Sequence, residues 1–164
     1  LNAIEHPDAG LRPERVDLPA LLHELEVGYE GEAMRKDLRM HFQVAPGLPA
    51  LDCDRKALVR VMDNLISNAM KFSPRGLAIH VRAYTERPGA LSLEVADQGP
   101  GISPADQEKM FKKFQRLSAR PTGGENSTGL GLAITQALVH KLGGEIAVYS
   151  QVGAGARFVV QLPV

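Results

Sequence analysis

The stretch Asn64–Pro74, NLISNAMKFSP, decides how the rest of the chain is read. Pro74 closes a run whose apolar residues recur at helical spacing back to Asp54, a good cap, so the pattern predicts a helix from Arg55 to about Phe72. The sequence sets two asparagines, four residues apart, inside that helix. Each costs roughly half a kcal/mol relative to alanine, because its amide competes for backbone hydrogen bonds. With Asn64 at zero and a step of 100° per residue, Asn68 falls at about 40° and Lys71 at about −20°, which makes one stripe. Leu58, Val61, Met62, Leu65, Ala69 and Phe72 gather between about 60° and 160° on the same wheel. The polar stripe thus borders the buried face, where its side chains can rim a pocket roofed by their own helix. Amide oxygens are hard neutral ligands suited to Mg²⁺ held jointly with phosphates and water. A lysine one turn on can meet phosphate, and Phe72 sits where a ring can pack on a planar base. The competing reading is a surface helix with two hydrated amides.

Outward from this helix the chain reads as alternating units. Residues 1–17 are polar with two prolines and read as a linker or extended lead-in. Asp17 is placed to cap a helix from Leu18 to about Lys36, with Pro19 in its first turn. LRMHFQVA (38–45) predicts a strand, and ALDC (50–53) a short one. After the asparagine helix, LAIHVRAYTE (77–86) and LSLEVAD (91–97) are alternating strands joined by a turn. SPADQEKMF (103–111) is a short helix capped by Ser103. Residues 115–128 have the composition of a mobile loop expected to close over a bound ligand. A helix follows from about Gly129 to Lys141, stopped by Gly143 and Gly144. EIAVYS and ARFVVQLP end the chain as a hairpin around QVGAG. This order predicts an α+β fold: a two-layer α/β sandwich with a mixed, mostly antiparallel sheet and helices on one face.

The 164 residues are enough for one domain with a core. Lys plus Arg and Asp plus Glu number 19 each, so charge points to neither nucleic acid nor a membrane surface as a partner. A single cysteine, Cys53, allows no internal disulfide and fits a reduced, cytoplasmic setting. The sequence contains no apolar run of about 18 residues. It begins at Leu1 rather than Met, as a piece of a longer protein would, and a membrane-anchored parent stays open.

Two glycine clusters add to the asparagine helix. DQGPGIS (97–103) follows a strand and precedes a helix. Its glycines let backbone approach a ligand closely, and Asp97 at the strand end can accept a hydrogen bond from an exocyclic amine. GGENSTGLGLAI (123–134) enters a helix, whose free N–H groups and dipole suit a phosphate. It is not a P-loop, since Leu130 stands where the lysine must be. It is not a dinucleotide fingerprint either, since Ile134 stands at the third glycine and no βαβ unit surrounds it.

In order, DNLISNAMKFS, DQGPGI, MFKKFQRL, STGLGLAI and KLGGEIAVYSQVGAGARFVVQLP make a specific set. The set resembles the ATP-binding catalytic domain of bacterial sensor histidine kinases, in the superfamily shared with gyrase, mismatch-repair MutL and heat-shock chaperone ATPases. The resemblance covers about residues 15–164 and implies ATP and Mg²⁺ as cofactors. By position, Asn68 matches the magnesium ligand, with Asn64 assisting. Lys71 matches a phosphate-contacting lysine, and Phe72 an aromatic near adenine. Asp97 matches the aspartate that recognises the adenine amino group. Gly99, Gly101 and Ile102 match the base pocket, and Phe111 and Phe114 the anchor of a lid. Arg116 resembles an arginine reaching the γ-phosphate. Thr128, Gly129, Leu130 and Gly131 match the phosphate-cradling glycine box. Where the ATPase branches place a general-base glutamate, this chain has Asn64, which cannot take a proton. The resemblance therefore implies slow hydrolysis and transfer of the γ-phosphoryl to a protein, a reaction that needs mainly positioning and charge neutralisation.

The acceptor histidine of the family lies in a separate dimerisation segment before this domain. His23, in LLHELEVG, lacks the later proline pattern of that segment and reads as a solvated helix residue. Residues 1–14 are expected to be a linker or the tail of that dimerisation helix, and 15–164 the catalytic domain, monomeric in isolation. The implied partners are the parent's own phosphoacceptor domain and a response regulator. The alternatives on the same fold are an anti-sigma-type serine kinase and a nucleotide-binding module without catalysis.

Overall fold

Leu58, Val61, Met62 and Leu65 are fully sealed from solvent, and Ala69 is 3% exposed. The side of the asparagine helix that the wheel marks as apolar is therefore the centre of the core. Burial of each such aliphatic side chain contributes roughly 2 kcal/mol over exposure. In the computed structural model, which describes residues 10–109 and 131–164, this helix runs Arg55–Phe72 (α2). Asp54 caps it by accepting from Ala57 N at 2.9 Å, and its last turn closes with Ser73 N donating to Ala69 O at 3.0 Å. The other elements are β1 (Pro13–Val16), α1 (Leu18–Arg35), β2 (Arg39–Val44), β3 (Leu51–Asp54), β4 (Ala78–Arg87), β5 (Ala90–Asp97), α3 (Pro104–Lys109), α4 (Gly131–Lys141), β6 (Glu145–Ser150) and β7 (Ala156–Pro163).

Five strands form one sheet in the order β2-β4-β5-β7-β6. Only the β2–β4 pair is parallel, so the sheet is mixed and mostly antiparallel, as expected. Its register lines up whole rows of apolar side chains. Phe42, Val81, Val95, Phe158 and Val148 form one row, and Val44, Ala83, Leu93, Val160 and Ile146 the next. Helices α1, α2 and α4 lie against β2, β5 and β6, and the two rows join the residues of α2 in one core cluster.

The opposite face is polar, and one carboxylate organises it. Glu94 is 2% exposed even so. It accepts from Arg82 Nη2 at 2.7 Å, Arg157 Nη1 at 2.8 Å and the Tyr84 hydroxyl at 2.9 Å.

One expectation needs correction. The lead-in contains a strand, because Pro13–Val16 pairs antiparallel with Leu51–Asp54. Arg12 N adds a 2.8 Å bond to Asp54, so the carboxylate that caps α2 also ties down the chain's approach. The loop 115–128 lies outside the described residues.

Candidate nucleotide site

The last turns of α2 meet the loop that leaves β5. Between them lies a narrow cleft lined by Asn68, Phe72, Asp97, Pro100, Gly101, Ile102, Ala156 and Phe158. Five of the residues singled out in the sequence, on α2 and in DQGPGI, thus share one cavity. Ile102 and Phe158 give the lining apolar surface, and Asn68 and Asp97 bring polar groups to it from α2 and the end of β5. A planar heterocycle needs such a lining.

Asp97 is the residue through which the strand becomes a site. Its Oδ1 accepts from Gly99 N at 2.9 Å and from Ala156 N at 3.3 Å. Among the described residues no bond is made by Oδ2. Burial pushes the carboxyl above its ordinary range, and the two backbone bonds offset this only in part. A desolvated carboxylate with one oxygen anchored presents the other as an acceptor.

The glycines do backbone work. A Cβ on Gly99 would fall 2.6 Å from Phe72 O, so only glycine lets the loop lie against the end of α2. Gly101 has φ +78°, and a Cβ there would fall 2.0 Å from Gln151 O. The loop is therefore pressed onto the β6–β7 turn and bonded to it, with Gly153 N donating to Pro100 O at 2.7 Å.

Two residues that sequence reasoning missed complete this brace. Ser150 Oγ accepts from Ile102 N at 2.8 Å and donates to Gly155 O at 2.6 Å. Gln107 Nε2 donates to Ile102 O at 2.9 Å and Ser150 O at 3.2 Å. Their only sequence signal was position, since Ser150 opens the glycine-rich turn and Gln107 follows the DQGPGI loop in α3.

Other expected residues sit elsewhere. Asn64 is outside the cleft lining, and its Nδ2 donates to Thr135 Oγ1 on α4 at 3.1 Å. Lys71 lies half-buried in the last turn of α2, also outside the lining. Gly131 opens α4. Phe111, Phe114, Arg116, Thr128, Gly129 and Leu130 lie outside the described residues.

Among the described residues no cluster of three or more histidine, cysteine or acidic side chains could hold a metal. A cation here would depend on neutral amide oxygens and on a ligand's own phosphates. That donor set fits Mg²⁺, which keeps waters and takes few protein oxygens, and Asn68 in the cleft lining carries such an oxygen. Among the described residues no helix is long and apolar enough to cross a membrane.

Comparison with known proteins places the chain in a family. The family described as histidine kinase-, DNA gyrase B- and HSP90-like ATPase matches residues 53–164. The chain is 40% identical to the histidine protein kinase DivJ of Caulobacter vibrioides over 119 residues, 73% of this chain and 20% of that protein. It is 33% identical to the sensor histidine kinase TmoS of Ectopseudomonas mendocina over 164 residues, 99% of this chain and 17% of that one. It thus spans a fifth or less of these curated relatives. Full-length ShkA, solved in complex with AMPPNP, superposes with a TM-score of 0.85 at 28% identity, covering 98% of this chain and 33% of that one. The mycobacterial sensor histidine kinase MprB superposes with a TM-score of 0.76 at 30% identity, covering 93% and 97%. With the asparagine helix, the buried Asp97 and the glycine-built loop around one cleft, the chain belongs to the histidine kinase-, DNA gyrase B- and HSP90-like ATPase family, as a catalytic ATP-binding domain of the histidine kinase type.

Proposed function

We propose that this domain binds Mg-ATP in the cleft between α2 and the DQGPGI loop and passes the γ-phosphoryl to a histidine on a separate phosphoacceptor domain of its parent kinase. A response regulator would then take the phosphoryl group. The observation that carries the reading is the convergence of Asn68, Phe72, Asp97, Gly101 and Ile102 on one cleft. Asp97 accepts the adenine amino group through Oδ2, Ile102 and Phe72 pack on the ring, and the phosphates run along α2 past Asn68 toward Lys71.

Asn68, with Asn64 one turn earlier, would hold Mg²⁺, which neutralises charge on the phosphate oxygens when bound. Lys71 adds a cationic contact, Arg116 is proposed to reach the γ-phosphate, and Thr128, Gly129, Leu130 and Gly131 are proposed to cradle the phosphates. Asn64 carries an amide that cannot act as a general base, so water is not activated and the phosphoryl group remains for the protein acceptor. Residues 15–164 are proposed as the catalytic unit, with 1–14 as the link to the acceptor segment. We further propose that the domain acts in the cytoplasm and is monomeric in isolation.

The test is transfer. The chain is mixed with Mg-ATP and a purified acceptor-histidine domain from the parent, and the product is exposed to acid. An acid-labile phosphoryl adduct on the acceptor is expected. An acid-stable adduct would point to serine phosphorylation, and nucleotide binding without any transfer to a binding module alone.

A further inference from the structure

We infer that Thr135 is a positioning residue for Asn64, tethering its side-chain amide and coupling its position to α4. The inference rests on the functional reading above. Thr135 lies one turn inside α4 and is fully buried. Its Oγ1 accepts from Asn64 Nδ2 at 3.1 Å, across a sequence separation of 71 residues.

A carboxamide carries a donor and an acceptor on one carbon, and a half-turn of the side chain exchanges them. Only the oxygen can ligate a hard cation or sit beside its water shell. An Asn64 side chain without a tether would sample other rotamers and carry its oxygen away from the cation. Here the Thr135 hydroxyl accepts from the nitrogen end, so the amide is tethered to α4 and its position follows that helix. Partners of this kind, one bond behind a metal-facing group, commonly change metal affinity about 10- to 100-fold when removed.

The residue before Asn64 is held as well. The Tyr29 hydroxyl on α1 donates to Asp63 Oδ1 at 2.7 Å. The turn of α2 bearing Asp63 and Asn64 is thus tied to both α1 and α4. Because α4 opens at Gly131, in the second glycine cluster, a displacement of that helix would reach Asn64 through one hydrogen bond.

Thr135→Val removes the acceptor with little change of shape, and Thr135→Ser restores it. Two measurements on this chain test the idea. In the nucleotide-free protein, the Asn64 side-chain NH₂ should show an NMR cross-relaxation contact to the Thr135 side chain, and its absence overturns the inference even if the valine variant does not fold. In a fluorescent ATP-analogue titration, Thr135→Val should raise the Mg²⁺ concentration needed for half-maximal tightening by about tenfold. Thr135→Ser should keep the wild-type requirement, and magnesium-free affinity should be unchanged in both. A folded Thr135→Val protein with the wild-type Mg²⁺ requirement overturns this inference alone. A wild-type chain whose nucleotide binding ignores Mg²⁺ overturns the functional reading and this inference together.

Discussion

Replacing Asp97 with asparagine should separate binding from stability. In the wild-type cleft, Oδ1 is held by Gly99 N and Ala156 N, at 2.9 and 3.3 Å. An asparagine can keep both bonds with its own oxygen, which places its NH₂ where Oδ2 was. An adenine amino group would then meet a donor in place of an acceptor. Hydrogen bonds to charged groups are worth about 1.5–3 kcal/mol, and the buried carboxylate supplies one. The affinity for an ATP analogue should fall about 10- to 150-fold, and GTP should become a relatively better competitor. Stability should move the other way. Burial raises the Asp97 carboxyl above its ordinary range. A raised acid contributes stability that is complete below its unfolded pKa and lost as pH rises through the folded value. At neutral pH the wild-type domain therefore carries a desolvation cost that asparagine removes. Asp97→Asn should be as stable as wild type or more so, by up to about 1 kcal/mol in urea unfolding near pH 7. An affinity change under about threefold in a folded variant would refute the role given to Oδ2. A clear loss of stability would refute the claim that the site is held at a cost.

Three further outcomes follow from the same geometry. Asn68→Ala should abolish the magnesium-dependent part of nucleotide affinity in the analogue titration, and unchanged magnesium dependence would contradict it. Gly101→Ala should destabilise more than Gly89→Ala. Both glycines have positive φ, costing about 1–2 kcal/mol with a side chain, but only the Gly101 Cβ meets backbone, 2.0 Å from Gln151 O, whereas Gly89 faces open space; equal unfolding midpoints would contradict this. Glu94→Gln should cost about 2 kcal/mol at neutral pH, less than a fully buried pair because Arg82 and Arg157 are 41% and 38% exposed. It should also flatten the acid limb of stability. Burial alone would raise the Glu94 carboxyl, but bonds from Arg157, Arg82 and Tyr84 outweigh it and hold it below the usual range. Its stabilisation is thus present above the unfolded glutamate pKa and lost as pH falls through the folded value. Identical pH slopes for variant and wild type would count against that network.

The parts of the fold visible in sequence were those set by local chemistry. Asp54 and Pro74 bracket α2, and the structure ends that helix at Phe72 as the pattern predicts. Asp17 likewise caps α1, accepting from Ala20 N at 3.1 Å. Strand β1 was missed because Pro-Glu-Arg-Val buries one residue of four and has no alternation to read. It is a strand only because β3 lies beside it. Within the site, Asp97, Gly101 and Ile102 were legible as a strand end running into a glycine loop. The partners of these residues were not. Thr135 and Ser150 are ordinary helix and hairpin residues until folding brings them, from 71 and 48 positions away, against Asn64 and Ile102. Glycine spacing predicted close backbone approach, but not that the approach is to Phe72 and Gln151.

The most direct test of the whole account is a crystal structure of the chain with a non-hydrolysable adenine nucleotide and Mg²⁺. The base should lie in the cleft against Phe72 and Ile102 with its amino group on Asp97, and the metal should lie beside Asn68. Density for the nucleotide anywhere other than between α2 and the DQGPGI loop would contradict it.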